Sequence, residues 1–278
     1  MALSKNDSDE QNASAETAPA TPALIDFQNI SVVRGSKLAL NHLTLRIAQN
    51  EHVAILGPNG CGKSTLIKTI TRECYPLYSP DSGITIMGEQ LWNVRELRLL
   101  LGIVSNDLMA TCRTDTTGRD IVLSGFFSSF GIFPNHHVEQ EQLQRANHAL
   151  ARVDALHLAD KPVGQMSSGE SQRILIARAL VHEPRALIFD EPSNSLDLRM
   201  QRELREIMRN LAQSGVGIVL VTHHAADVIP EIDRVVFMRD GAVIGDGLKN
   251  EMLSEERISA LFEFSARISY RDGYYHAW

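Results

Sequence analysis

No run of about 20 consecutive apolar residues occurs anywhere in this 278-residue chain, so no segment of it is expected to cross a bilayer as a helix. Positive charge is also in short supply: 27 lysines and arginines stand against 34 aspartates and glutamates, a net charge of −7. That balance creates no global field to gather phosphate backbones or anionic lipid. With no basic arm and no coiled-coil stretch, there is no strong case for nucleic acid as a partner. Cysteine is scarce too. Cys61, Cys74 and Cys112 are odd in number, form no C-x-x-C pair and have no metal-ligand spacing, which argues against a disulfide framework or a zinc site and suits a reducing cytosol. The N-terminus reads Met-Ala-Leu-Ser-Lys and then turns acidic and polar, without the positive-then-apolar order of a secretory signal. No internal repeat of the 20–50-residue kind is found.

What the chain does have is length and apolar content, 44% hydrophobic, enough for a substantial core near the upper size of one domain. One domain carrying an inserted subdomain is the expectation. Residues 1–22 are mostly Ser, Asn, Asp, Glu, Thr, Ala and Pro, too poor in large apolar side chains to offset chain entropy, and read as a disordered tail. From 23 to 250 the pattern is that of a folded domain. Leu24 to Val33 and Leu43 to Ile47 alternate apolar with polar residues, as half-exposed strands of an antiparallel flank do. Val53 to Leu56, Leu187 to Phe189 and Ile218 to Val221 are continuous apolar runs, expected of strands buried on both faces of a parallel sheet. Between them, Leu204, Ile207, Met208 and Leu211 form one stripe of a helix over 198–211. Strands and helices alternate, as in an α/β fold. From about 107 to 170 the β pattern disappears, and helices such as 139–153 predict an inserted α-helical subdomain. Residues 251–278 form a C-terminal extension. There Leu253, Ile258, Leu261 and Phe262 predict a short buried helix stripe, and Tyr270, Tyr274, Tyr275 and Trp278 read as packing residues.

Gly57-Pro58-Asn59-Gly60-Cys61-Gly62-Lys63-Ser64 fits G-x-x-x-x-G-K-[ST], between the apolar run ending at Leu56 and a helix-compatible stretch beginning at Thr65. Glycines let successive backbone N–H groups curl around an anion, and the helix N-terminus adds its positive dipole end. Lys63 is expected to contact the outer phosphates of ATP, and the Ser64 hydroxyl to ligate Mg²⁺. A second anchor for the ion needs a carboxylate at the end of a neighbouring buried strand, and Leu187-Ile188-Phe189-Asp190 supplies one. Glu191, next in sequence, is placed to polarise the water that attacks the γ-phosphate. Cys61 is small enough for the loop, and the helix N-terminus is expected to lower its pKa.

Met166-Ser167-Ser168-Gly169-Glu170, followed by Ser171 to Leu180, resembles the L-S-G-G-Q signature and following helix of ATP-binding-cassette (ABC) ATPases. Asn194-Ser195-Leu196-Asp197 resembles the family's D-loop, with Ser195 and Asp197 in its positions, and His223 resembles its switch histidine. The resemblance runs from about Leu24 to Gly247. It implies an α/β fold of the P-loop NTPase class, with an ABC-type core, an antiparallel β flank and an inserted α-helical subdomain. It implies an ATPase that pairs head to tail, as a homodimer or with a paired ABC subunit, around two Mg-ATP. Each ATP would be sealed by Ser167, Ser168, Gly169 and Glu170 of the other subunit, and His223 would contact the γ-phosphate. It further implies a separate transmembrane permease, with this chain peripheral on the cytoplasmic face of the inner or plasma membrane. Asp120 to Gly131 is similar to ABC ATPases of molybdate and metal-chelate uptake.

Four positions depart from the family pattern. Arg34 stands where an aromatic commonly stacks on adenine, and a guanidinium plane can stack there as well. Asn106 replaces the γ-phosphate-sensing glutamine, one methylene shorter. Ser168 replaces the first signature glycine, tolerable where φ stays negative. Glu170 replaces the glutamine, and its carboxylate is expected to point away from the nucleotide. Two other readings remain open from sequence: a soluble ABC ATPase acting on ribosomes or nucleic acid, and a low-turnover nucleotide-binding regulatory module, motivated by Asn106, Ser168 and Glu170. His224, His136 and His137 read as surface histidines.

Overall fold

The computed structural model describes residues 22–105, 109 and 111–278. The N-terminal tail up to Thr21 and Asn106 lie outside the described residues. In chain order the first elements are the strands β1 (Ala23–Arg34), β2 (Lys37–Ala48) and β3 (His52–Leu56), the helix α1 (Lys63–Ile70), β4 (Gly83–Ile86), α2 (Val94–Leu100) and β5 (Leu101–Ser105). The helices α3 (Gly118–Phe127), α4 (Gln140–Arg152) and α5 (Ser168–Leu180) follow, before the chain returns to strand at β6 (Ala186–Asp190). Then come α6 (Leu198–Gln213), β7 (Gly217–Thr222), β8 (Arg234–Arg239) and β9 (Ala242–Leu248). The chain ends with α7 (Lys249–Met252), α8 (Glu255–Phe262) and a hairpin of β10 (Ile268–Arg271) and β11 (Tyr274–Ala277).

The alternating segments form an antiparallel sheet in the order β2-β1-β4, and the continuous apolar runs form a second sheet in the order β5-β6-β7-β3-β8-β9. In the second sheet all neighbours are parallel except β8 and β9. Period-two alternation assigns successive residues to opposite faces. Val53, Ile55, Ile188, Val219 and Val221 join the core under the antiparallel sheet and α1. Ala54, Leu56, Leu187, Phe189, Ile218 and Leu220 join the core under α5 and α6. The central sheet is therefore buried on both sides, which is why its strands lack polar alternation. β8 is a buried strand of the same kind, but its four apolar residues sit between Arg234 and Arg239, and the sequence pattern did not single it out.

The connection from β5 to β6, which are direct neighbours in the sheet, contains α3, α4 and α5 packed on one another, with α5 also lying on β5. At the C-terminus Leu253, Ile258 and Leu261 are buried as the stripe predicts. The hairpin was not foreseen. Tyr274 and Tyr275 pack against the core, but Tyr270 and Trp278 are each 64% exposed. For those two the expectation of packing is wrong: Tyr270 lies at the exposed turn end of β10, with its ring 4.8 Å from that of its cross-strand partner Tyr275, and Trp278 follows the exposed end of β11. Among the described residues no helix is long and apolar enough to cross a membrane.

The strand registers bring the chemistry to one edge. Leu56 pairs with Thr222 and Asp190 with Val221. The loop after β3, the Asp190-Glu191 corner after β6 and the His223 corner after β7 thus all leave the sheet at its carboxyl end, where ligands of open α/β sheets bind.

Candidate functional site

The loop from Gly57 to Ser64 holds its shape through glycine where no other residue fits. Gly62 has φ +112°, and a Cβ there would stand 2.5 Å from the Ala39 carbonyl oxygen; at Gly57 a Cβ would stand 2.2 Å from the Met238 carbonyl oxygen. Gly62 caps α1 without any side-chain hydrogen bond, which leaves first-turn amides open to an anion. Beside this loop lies a cleft of about 540 Å³, lined by Arg34, Lys37, Gly60, Lys63, Ser64 and Glu191 among others, within the size range of small-molecule sites. Arg34 and Lys37 are paired across the β1–β2 turn and bring two cations to the outer end of the cleft. Lys37 was missed in the sequence, because only the hairpin register places it beside Arg34.

Lys63 is 4% exposed. Its Nζ donates to the carbonyl oxygens of Gly57 at 2.7 Å and Pro58 at 3.0 Å and stands 3.3 Å from Glu191 Oε1. The Glu191 N–H donates to the Val221 carbonyl oxygen and its φ is 46°, a left-handed corner that turns the side chain back over the phosphate loop. Glu191 Oε2 accepts from Asn194 Nδ2 at 2.6 Å, and Oε1 is 3.4 Å from His223 Nδ1. Burial pushes the Glu191 carboxyl up, but the Asn194 hydrogen bond, Lys63 and His223 together outweigh it and hold the group below the usual carboxylate range. A carboxylate that stays ionised next to a lysine and a histidine can orient water and accept its proton.

Ser64, which also lines the first cleft, and Asp190 line a second hollow of about 500 Å³. Hydroxyl and carboxylate oxygens are the donors a hard divalent cation takes. Among the described residues no three His, Cys, Asp or Glu side chains converge, so an ion held here would complete its shell with water and phosphate oxygens.

Cys61 corrects an expectation. Its thiol is buried among apolar residues beneath the antiparallel sheet, and burial pushes its pKa up, outweighing Lys63 and the backbone hydrogen bonds. Desolvation opposes the helix dipole here and exceeds it, so Cys61 is a small filler of the turn rather than an activated thiol.

The signature segment lies apart from this cleft. Ser167 and Ser168 are exposed, and Ser168 opens α5 with φ outside the positive region. Ser167 Oγ accepts from the Glu170 N–H at 3.2 Å, and Glu170 Oε2 accepts from the Ser167 N–H at 2.7 Å, closing a capping box. Lys161 Nζ donates to both Glu170 oxygens, at 2.8 and 2.7 Å. That hydrogen bond first, and the Ser167 amide second, hold the Glu170 carboxyl below its usual range. The charge that replaces glutamine is thereby folded back onto its own helix start and matched by a lysine. Gly169 packs on Met200, where a Cβ would come within 2.9 Å. Ser195 is exposed with φ 67°, and exposed Asp197 caps α6 by accepting from the Met200 N–H at 2.8 Å. His224 is exposed, and His136 stacks on Phe127 with ring centroids 4.2 Å apart.

A buried strand, a glycine-rich loop, a helix and a neighbouring strand ending in Asp-Glu define a nucleoside triphosphatase of the P-loop class. The sequence profile described as ABC transporter matches residues 40–194. The uncharacterized ABC transporter ATP-binding protein YlmA of Bacillus subtilis is 30% identical over 246 residues, covering 86% of this chain and 91% of that protein. The Fe(3+) ions import ATP-binding protein FbpC 1 of Haemophilus influenzae is 29% identical over 263 residues, covering 89% of this chain and 72% of that one. Among solved structures, CbiO1 of Clostridium perfringens, described as part of the CbiONQ transporter complex, superposes with a TM-score of 0.72 at 27% identity, covering 86% of this chain and 94% of that one. The chain belongs to the ABC transporter family, as an ATP-binding and ATP-hydrolysing subunit.

Proposed function

We propose that this subunit closes head to tail on a second ATP-binding subunit around two Mg-ATP and so drives a separate membrane permease. In this reading the amides of Gly57 to Thr65 and the Lys63 ammonium hold the phosphates, and Arg34 stacks on the base. Ser64 and Asp190 hold Mg²⁺, which when bound neutralises charge on the β- and γ-phosphates. Glu191 accepts a proton from the attacking water, while His223 contacts the γ-phosphate and keeps that water aligned. Asn106 couples nucleotide state to the helical subdomain. The observation that carries the proposal is the division of the chemistry. Lys63 and Glu191 line one cleft, with His223 standing against Glu191, whereas the serine-rich start of α5 is exposed and lines none of it. A helix start with exposed donors can serve a phosphate that arrives from another subunit. Bound ATP then favours closure and hydrolysis removes that preference, which converts chemistry into motion.

The permease part is supported by CbiO1, described as one part of a larger transporter complex, and by relatives named for import, such as FbpC 1. Peripheral placement on the cytoplasmic membrane face belongs to the same reading. Purifying the full chain from its native membranes in mild detergent is expected to bring down an integral membrane chain in fixed ratio. A folded, ATP-binding chain recovered without one refutes the transport role and reopens a soluble ABC ATPase acting on ribosomes or nucleic acid.

Arg34 gives the base pocket its own test. A guanidinium over a ring face contributes about 0.5–2 kcal/mol, so Arg34→Ala is expected to raise KM for ATP by roughly 2- to 30-fold with kcat retained. Steady-state kinetics with ATP and GTP check this. An unchanged KM for both nucleotides removes Arg34 from the site.

A further inference from the structure

Asp227 is 3% exposed, at the end of a single helical turn, Ala225–Asp227, that follows the His223 corner. Its Oδ2 accepts two hydroxyl hydrogen bonds, from Ser193 Oγ at 2.6 Å and from Thr222 Oγ1 at 2.7 Å. Thr222 Oγ1 in turn accepts from the His224 N–H at 3.0 Å. Each partner sits beside a group of the cleft. Ser193 lies between Glu191 and Asn194, whose side chains are themselves hydrogen-bonded. Thr222 immediately precedes His223. At its start the Glu191 corner is already tied to β7 through the Val221 carbonyl oxygen, and Asp227 ties its far end to the same strand. The turn that carries Asp227 is packed from outside by β11 of the C-terminal hairpin.

Burying a carboxyl group is unfavourable unless its oxygens are satisfied, and an apolar residue would fill this site without that cost. The arrangement makes sense as registration, since two left-handed or irregular corners that must face each other across one phosphate are joined by a single short acceptor. We infer that Asp227 is a positioning residue for ATP hydrolysis, locking the Glu191–Asn194 corner to the His223 corner through Ser193 and Thr222. This rests on the reading of Glu191 and His223 as the hydrolytic pair. Asp227 is buried and lines no part of the cleft; it fixes the angle from which Glu191 and His223 face that cleft.

The test compares Asp227→Ala, Asp227→Asn, Ser193→Ala, Glu191→Gln and His223→Ala in the full chain, with kcat, Mg-ATP affinity and melting temperature measured for each. Misplacement of a reacting group by about 1 Å lowers rate by about 100-fold. Asp227→Ala is therefore expected to lower kcat by about 10- to 100-fold with Mg-ATP affinity unchanged. Asp227→Asn keeps one oxygen able to accept both hydroxyls and is expected to restore most of the rate. In the Glu191→Gln background, Asp227→Ala is expected to cause no further loss, because it acts through the residue already removed. Wild-type kcat in folded Asp227→Ala overturns the inference, as does a loss that multiplies with that of Glu191→Gln. Should Asp227→Ala fail to fold, Ser193→Ala deletes one of the two bonds and is expected to lower kcat at constant affinity; wild-type turnover there overturns it equally. If Glu191→Gln and His223→Ala both hydrolyse ATP at the wild-type rate, it is the hydrolytic pair itself that is wrong.

Discussion

Replacing Glu191 with glutamine is expected to lower ATP turnover by about 10²- to 10⁴-fold, the range that a positioned general base supplies, with Mg-ATP binding retained. The substitution keeps the shape and the Asn194 hydrogen bond but removes the carboxylate proposed to take the proton. Glu191 is suited to that task because Asn194, Lys63 and His223 hold its carboxyl below the usual range against the opposite pull of burial. With a depressed pKa, the base form persists at every pH above the ordinary carboxylate range. Any acid limb in kcat that belongs to Glu191 must then fall below that range. Binding is expected to be preserved because the proposed phosphate donors are Lys63 and the loop amides, and losing a negative charge 3.3 Å from Lys63 Nζ leaves that lysine freer to face a phosphate. Phosphate release in a single turnover, set beside equilibrium nucleotide affinity, separates the two effects. Equal release by the wild type and the variant excludes Glu191 as the base and favours the low-turnover regulatory reading that Asn106, Ser168 and Glu170 motivate.

The core of this site was legible because local pattern and chemistry coincide there. The runs ending at Leu56, Phe189 and Val221 are strands buried on both faces, and the motif residues follow each run directly, so sheet register alone carries them to one edge. The rest was encoded in tertiary contact. Lys37 enters the cleft only because it is the hairpin partner of Arg34. The bond from Ser193 to Asp227 spans 34 residues, and nothing in the local sequence marks the aspartate as buried. β8 escaped notice because arginines bound its short apolar run, and Arg234 finds Asp246 and Glu51 only in the folded chain. At Cys61 the local pattern carries the helix start but not the burial, and desolvation beneath the sheet outweighs the helix start in front of it.

Lys63→Met is expected to weaken Mg-ATP binding by roughly 10- to 150-fold, the equivalent of about 1.5–3 kcal/mol for hydrogen bonds to a charged group. The lysine is nearly fully buried and uses its hydrogens on the Gly57 and Pro58 carbonyl oxygens as well as facing Glu191. It therefore fixes the loop's curvature and supplies its charge at once. Methionine fills a similar volume without either function. Arginine is no substitute, because a planar fork cannot direct donors at two adjacent carbonyl oxygens and a phosphate as a rotating ammonium can. A second consequence distinguishes charge from packing. In Lys63→Met the Glu191 carboxylate loses a cation that opposes its burial, so its pKa rises and the fold loses stability. Adding Glu191→Gln removes the stranded charge, and the melting temperature of the double variant is expected to recover while nucleotide affinity does not. If affinity recovered together with stability, Lys63 would be a structural brace for the loop, and the phosphates would be held by the backbone amides alone.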